Sequence, residues 1–246
     1  MSLLFFKQNF NIKKTNKILF SLISLDILFI LLHILFIYLI FIRVQFNWSI
    51  GNDFMVNNDG SYPEIFQYIK FACISLILLY FVIKGKGIGY ISWCVLYVLL
   101  LLDDSMQFHE RFGTWVSEKF HYAPHLGLRA QDFGELTYDV LFGTFFIVFI
   151  AIGYYYGDKV YRKINIDLFL LFCFLLFFGV GVDMIDELFE DNRWSILFFN
   201  LFEDGGEMIA LSTIVWYFCF LVIKPDNHDT YLHEYFFKRK TRKFKK

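Results

Sequence analysis

Proline is scarce, with three residues in a chain of 246, so little stands in the way of long helices. Cysteine is scarce as well. Cys73, Cys94, Cys173 and Cys219 lie far apart inside apolar stretches and form no CxxC pair, which excludes a disulfide frame or a zinc ribbon and leaves four small hydrophobes. No nucleotide-binding loop, no G-x-S-x-G elbow and no paired-Cys site occurs. Net charge is almost absent too, at −1, but this near-zero sum conceals a strong asymmetry along the chain.

What the chain has in abundance is apolar surface. Hydrophobic residues make up 57% and aromatics 22%, with a mean hydropathy of +0.50, more than an ordinary soluble domain needs for one core. A bilayer core of about 30 Å takes about 20 apolar helical residues to cross. Six stretches qualify: residues 18–42, 65–83, 88–108, 133–156, 166–189 and 196–223. The first runs on through LFIYLIFI without a small-residue cleavage site, so it reads as a retained helix and not as a secretory signal.

Basic residues give the orientation. With the N-terminus inside, the inner segments carry Lys7, Lys13, Lys14 and Lys17, then Lys84 and Lys86, then Lys159, Arg162 and Lys163, then the tail from Lys224 to Lys246. The outer side is left with Arg43, Lys70, Arg111, Lys119, Arg129 and Arg193. The expectation is therefore an all-α, polytopic protein of the cell membrane with six transmembrane helices. It forms one transmembrane domain over residues 1–246, with both termini cytoplasmic. The basic tail over 224–246, ending KRKTRKFKK, reads as a topology signal and a contact for anionic membrane lipids. With no folded domain beside it, it does not read as a nucleic-acid site.

The acidic residues are concentrated in four places. The third stretch ends LLDDSMQFHER with Asp103, Asp104, His109 and Glu110; the fourth begins QDFGELTYD with Asp132, Glu135 and Asp139. The fifth ends VDMIDELFED with Asp183, Asp186, Glu187, Glu190 and Asp191; the sixth begins FEDGGEM with Glu203, Asp204 and Glu207. All four places fall toward the outer end, with Asp103, Asp183 and Glu207 about 22–26 Å from the inner ends at 1.5 Å per residue. Spacings of three and four put each set on one helix face.

These motifs also repeat. Aligning LDDSMQFHE with VDMIDELFE matches Asp103 to Asp183 and Glu110 to Glu190. Aligning QDFGEL with EDGGEM matches Asp132 to Asp204 and Glu135 to Glu207. Helices three–four and five–six thus read as a parallel hairpin repeat. A weaker third copy begins at PEIFQ, with Glu64 and Gln67.

Carboxylates gathered in this number need protons or cations to neutralise them. Oxygen ligands suit a divalent metal cation, and His109 adds a nitrogen. The candidate ligands are Asp103, His109, Glu135, Asp183 and Glu207, with Asp104 and Asp186 as candidate general bases. His33 sits at a similar height and reads as an interhelical histidine; Asp26, lower on the first helix, pairs with Lys17 or bonds in place. The Glu-x-x-His motif of di-iron bundles is absent. Ser105 and His109 resemble a short element of the ceramidase and progestin-receptor-like membrane hydrolases, but that superfamily's paired late histidines have no counterpart here.

Three functions remain open. A one-sided, carboxylate-rich site suits a metal-dependent membrane enzyme acting on lipid or lipid-linked substrate, with residues 111–131 as a covering loop. A cation- or proton-coupled transporter or channel would use the same acids but needs polar groups in the inner halves, which read as almost wholly apolar, with only Asp26 and His33 as a step inward. A non-catalytic sensor or assembly protein would use the acids only to pair helices.

Overall fold

The computed structural model describes residues 2–42, 51–125, 127–188, 193–223 and 232; side chains over 2–13, 40–41 and 186–198 lie outside that description. Among the described residues the protein is helical and has no strand. The helices are α1 (Ser2–Phe41), α2 (Tyr62–Ile83), α3 (Tyr90–Met106), α4 (Phe108–Phe120), α5 (Ala130–Tyr156), α6 (Lys159–Leu176), α7 (Asp183–Leu188) and α8 (Arg193–Ile223). Among the described residues, five segments are long and apolar enough to cross a membrane: Lys14–Leu39, Tyr62–Ile83, Ala130–Tyr156, Lys159–Ile185 and Phe199–Ile223. The bent pair α3 and α4 makes a sixth if counted as one span. The basic tail, Arg43, Glu190 and Asp191 lie outside the described residues.

Local chemistry sets the helix ends. Ser61 caps α2, its Oγ accepting from the Glu64 backbone N–H, with Pro63 in the first turn where its missing N–H costs nothing. Asp158 caps α6 by accepting from Tyr161 N–H at 2.7 Å. Gln107 takes a left-handed conformation (φ 53°), which ends α3 and turns the chain by 72° into α4. Residues 108–120 are therefore helix and not the covering loop expected from sequence. They pack on α5, where Gly113 and Gly134 let two backbones touch: a Cβ on Gly134 would fall onto the Gly113 carbonyl.

At the centre lies α8, which packs against α1, α2 and α6. Trp93, Tyr97, Phe81, Leu78, Leu168, Ile214 and Phe218 form the buried core around it. The pair Gly205–Gly206 allows this closeness, Gly205 lying against Ile30 of α1 and Gly206 against the Phe178 ring. Outward faces are Leu-, Ile- and Phe-rich, as lipid contact requires. On α1 the arrangement is inverted: its buried positions are Thr15, Asp26, His33 and Phe36, while Leu28, Leu31 and Leu35 face outward.

Between α6 and α7 the chain forms a π-helical turn, Phe177–Val182. Such widened turns are frequent at functional sites. Here it lies immediately before Asp183, and Gly179 within it leaves the space that the Glu207 carboxylate fills.

Candidate functional site

The acids of α3, α5, the α6–α7 segment and α8 converge at one end of the bundle. Asp183 interacts electrostatically with Glu135, Asp139 and His109. Glu207 does so with Asp104, Asp183 and His109, and Asp204 with Glu207, Asp104, Asp183 and Glu64. Each of Asp103, Asp104, Glu135, Asp139, Asp183, Asp204 and Glu207 is half-buried, so the group forms a cleft and not a sealed core.

Several of these acids are already engaged. Asp103 Oδ1 accepts the His109 backbone N–H at 2.9 Å and the Tyr138 hydroxyl at 3.0 Å, so it caps α4 across the bend. Its Oδ2 lies 3.4 Å from His109 Nδ1, and His109 Nε2 lies 4.0 Å from Glu110. Glu135 accepts from Gln131 Nε2 at 2.7 Å. Asp132 is buried in a capping box, bonded to the Arg129 N–H at 2.6 Å and paired with its guanidinium at 2.8 Å; its role is to start α5. The Asp104 Oδ2 atom is buried with no hydrogen-bond partner. Asp186 lies on α7, its side chain outside the described ones. Among the described residues no three of His, Cys, Asp and Glu are gathered closely enough to hold a metal ion.

The PEIFQ residues Glu64 and Gln67, with Asp59 and Gln107 that the sequence left unmarked, complete the cleft. Glu64 accepts from the Tyr68 hydroxyl and the Gly60 N–H. Gln67 donates to the Asp204 carbonyl at 3.4 Å, and Gln107 to Asp59 at 2.6 Å. His33 does not join the acids; its Nδ1 accepts the Val56 N–H at 3.2 Å. His121 and His125 are exposed.

Beside the acids, the interior holds more buried polar groups than the Asp26 and His33 expected there. Asp26 pairs not with Lys17 but with Lys70, whose Nζ lies 2.5 Å from Oδ1. Lys70 was expected at the outer surface and is instead 1% exposed; it also donates to the Met208 carbonyl at 2.9 Å and lies 4.3 Å from the centre of the Phe66 ring. Ser212 closes the group by donating to Asp26 Oδ2 at 2.5 Å. Deeper still, buried Asp167 accepts from the Tyr217 hydroxyl at 2.7 Å and the Leu232 N–H at 2.9 Å. Asn165 beside it accepts from Trp93 Nε1 at 2.7 Å and the Tyr161 hydroxyl at 3.0 Å. One signal for this was present: polar positions 15, 26 and 33 of α1 are spaced by eleven and seven, hence on one helix face.

No curated protein and no solved structure matches the chain. A family model described as Domain of unknown function (DUF8692) matches residues 71–223, which takes in most of α2, α3 to α8 and every acid of the cleft except Asp59 and Glu64. Since that match covers more than half of the chain, the protein belongs to this family.

Proposed function

We propose that the protein is a cation- or proton-coupled carrier of the cell membrane, loading at the extracytoplasmic acidic cleft. In this reading α3 with α4 counts as one span. Six spans then leave both termini cytoplasmic, with the basic tail against anionic lipid. The two acidic hairpins, α3–α5 and α6–α8, act as parallel repeats on either side of the cleft. The observation that carries the reading is on α8: within two turns below Glu207, Met208 and Ser212 hold the buried Lys70–Asp26 pair. A purely one-sided site has no use for charges at that depth, where they are costly.

A second reading keeps the cleft and makes it a metal-dependent enzyme on lipid or lipid-linked substrate. Asp103, His109, Glu135, Asp183 and Glu207 would draw in around one or two divalent cations, with Asp104 or Asp186 as general base. What favours it is the imidazole of His109, set between Asp103 and Glu110 at the same end as Asp183. The test is metal content of the purified protein, beside cation uptake into proteoliposomes, for the wild type and Asp183→Asn. Uptake lost in the variant with no bound metal supports the carrier. Stoichiometric metal lost in the variant, without uptake, supports the enzyme.

A further inference from the structure

We propose that α4 is an interfacial helix whose partner is the lipid surface, its stripe Phe108, Phe112 and Trp115 seated at headgroup level in the leaflet at the cleft end of the bundle. The inference goes beyond the carrier reading and holds whichever ion or substrate the cleft takes.

α3 has 17 residues, about 25 Å at helical rise, close to the thickness of a hydrocarbon core. It ends at the left-handed Gln107, beyond which α4 turns away by 72°. α4 has 13 residues and is about 20 Å long, and at that angle it advances only about 6 Å further along the axis of α3. Most of its length therefore runs sideways at the end of α3 and does not continue the crossing.

Three faces run along α4. Gly113, Val116 and Ser117 are buried, and this face packs on α5, where Gly113 meets Gly134. Phe108, Phe112 and Trp115 follow at spacings of four and three, so they share a second face. Phe108 is 41% and Trp115 50% exposed. Phe112 lies between them, half-buried, with the Trp115 ring at 5.6 Å and the Tyr138 ring at 5.4 Å. Arg111, Thr114 and Glu118, spaced by three and four, form a third face and are exposed too. A helix in water has no use for the second face, and a helix in hydrocarbon none for the third. A membrane interface accommodates both at once.

The neighbours of the stripe say what covers it. Leu102 and Met106 are exposed at the end of α3, so the stripe continues an apolar surface that begins on a membrane-crossing helix. One turn beyond Trp115, Lys119 sets its ammonium 4.5 Å from the centre of the Trp115 ring. Trp beside Lys suits a membrane–water boundary, where the ring and the aliphatic stem lie in the apolar layer and the charge reaches the headgroups. A second copy of the chain would have to cover this ammonium along with the rings, whereas headgroup phosphates neutralise it.

The seat bears on the cleft because His109 and Glu110 belong to the first turn of α4. Asp103 holds that turn from α3, accepting the His109 N–H at 2.9 Å. Lipid contact along the stripe holds the rest of the helix, so the depth of α4 sets where the imidazole stands against the acids.

The experiment places a nitroxide at single cysteines, in a background without the four native ones, with the full chain in vesicles of phosphatidylcholine and phosphatidylglycerol. Phe108→Cys and Trp115→Cys report the stripe, and Thr114→Cys and Glu118→Cys the polar face. All four are exposed positions, and gel filtration checks each protein. Phe108→Cys leaves Trp115 and Lys119 in place, so the stripe stays readable should Trp115→Cys not fold. At the two stripe positions, relaxation by oxygen, which concentrates in lipid, is expected to exceed relaxation by a water-soluble nickel chelate several-fold. At the two polar positions the ratio is expected to reverse. Nickel-dominated relaxation at all four overturns the proposal by placing α4 in water. Oxygen-dominated relaxation at all four overturns it by placing α4 in the hydrocarbon. Protection of the stripe from both reagents overturns it in favour of a protein partner, a second copy of the chain included.

Discussion

Lys70 and Asp26 form an ion pair of 2.5 Å between helices 44 residues apart in sequence, with side-chain exposures of 1% and 0%. Such a pair is held by mutual need. Either charge alone would be stranded in the buried interior, whereas the two together are bonded on both carboxylate oxygens.

Removing one partner should therefore cost more than removing both. Lys70→Met is expected to destabilise the protein by about 3–5 kcal/mol, and the double variant Lys70→Met/Asp26→Leu to recover much of that loss. Unfolding in detergent by denaturant titration measures both. Equal stability of the single and double variants would show that the pair is not coupled.

The crossing of α4 on α5 depends on two glycines in contact. Gly134→Val places its side chain on the Gly113 carbonyl and is expected to cost about 1–3 kcal/mol by overpacking. Gly143 on the same helix faces open space, so Gly143→Val should leave the melting temperature unchanged. Limited proteolysis between α4 and α5 would follow the same contrast.

Tyr161 ties α6 to the start of α3, its hydroxyl lying 2.8 Å from the Gly89 carbonyl and 3.0 Å from Asn165 Oδ1. Tyr161→Phe keeps the ring against Tyr90 and loses only the hydroxyl. A loss of about 1 kcal/mol is expected, with faster hydrogen exchange at residues 87–90. Unaltered exchange there would remove the hydroxyl from the anchor.

Orientation is checked by cysteine labelling in a background without the four native cysteines. Asn57 and Lys86 are both exposed, in the connections before and after α2. Asn57→Cys should react with an impermeant maleimide in intact cells, and Lys86→Cys only after permeabilisation. The reverse pattern would invert the topology and place the acidic cleft in the cytoplasm.

Much of the site was legible before any helix was packed, because depth follows from counting. At 1.5 Å per residue, Asp103, Asp183 and Glu207 fall at one level whatever their neighbours are, and packing then brings Asp183 and Glu207 within electrostatic reach of each other. What they bind to was not legible. Asp132 looks like Glu135 in sequence, yet Arg129 draws it into a helix cap. Asp103 looks like a ligand, yet it spends one oxygen on His109 N–H and Tyr138. The bend at Gln107 was hidden because the residues after it remain helix-compatible, and only their left-handed junction redirects them.

By itself the sequence determined the helical class and the stretches apolar enough to cross a membrane, since hydropathy and helical rise are properties of local chain. Only the tertiary structure decided which charges meet. Rotation of a helix about its axis and the choice of its neighbours are set by the packing of every helix at once. Whether Lys70 faces headgroups or Asp26 is therefore decided by where α1 and α8 lie.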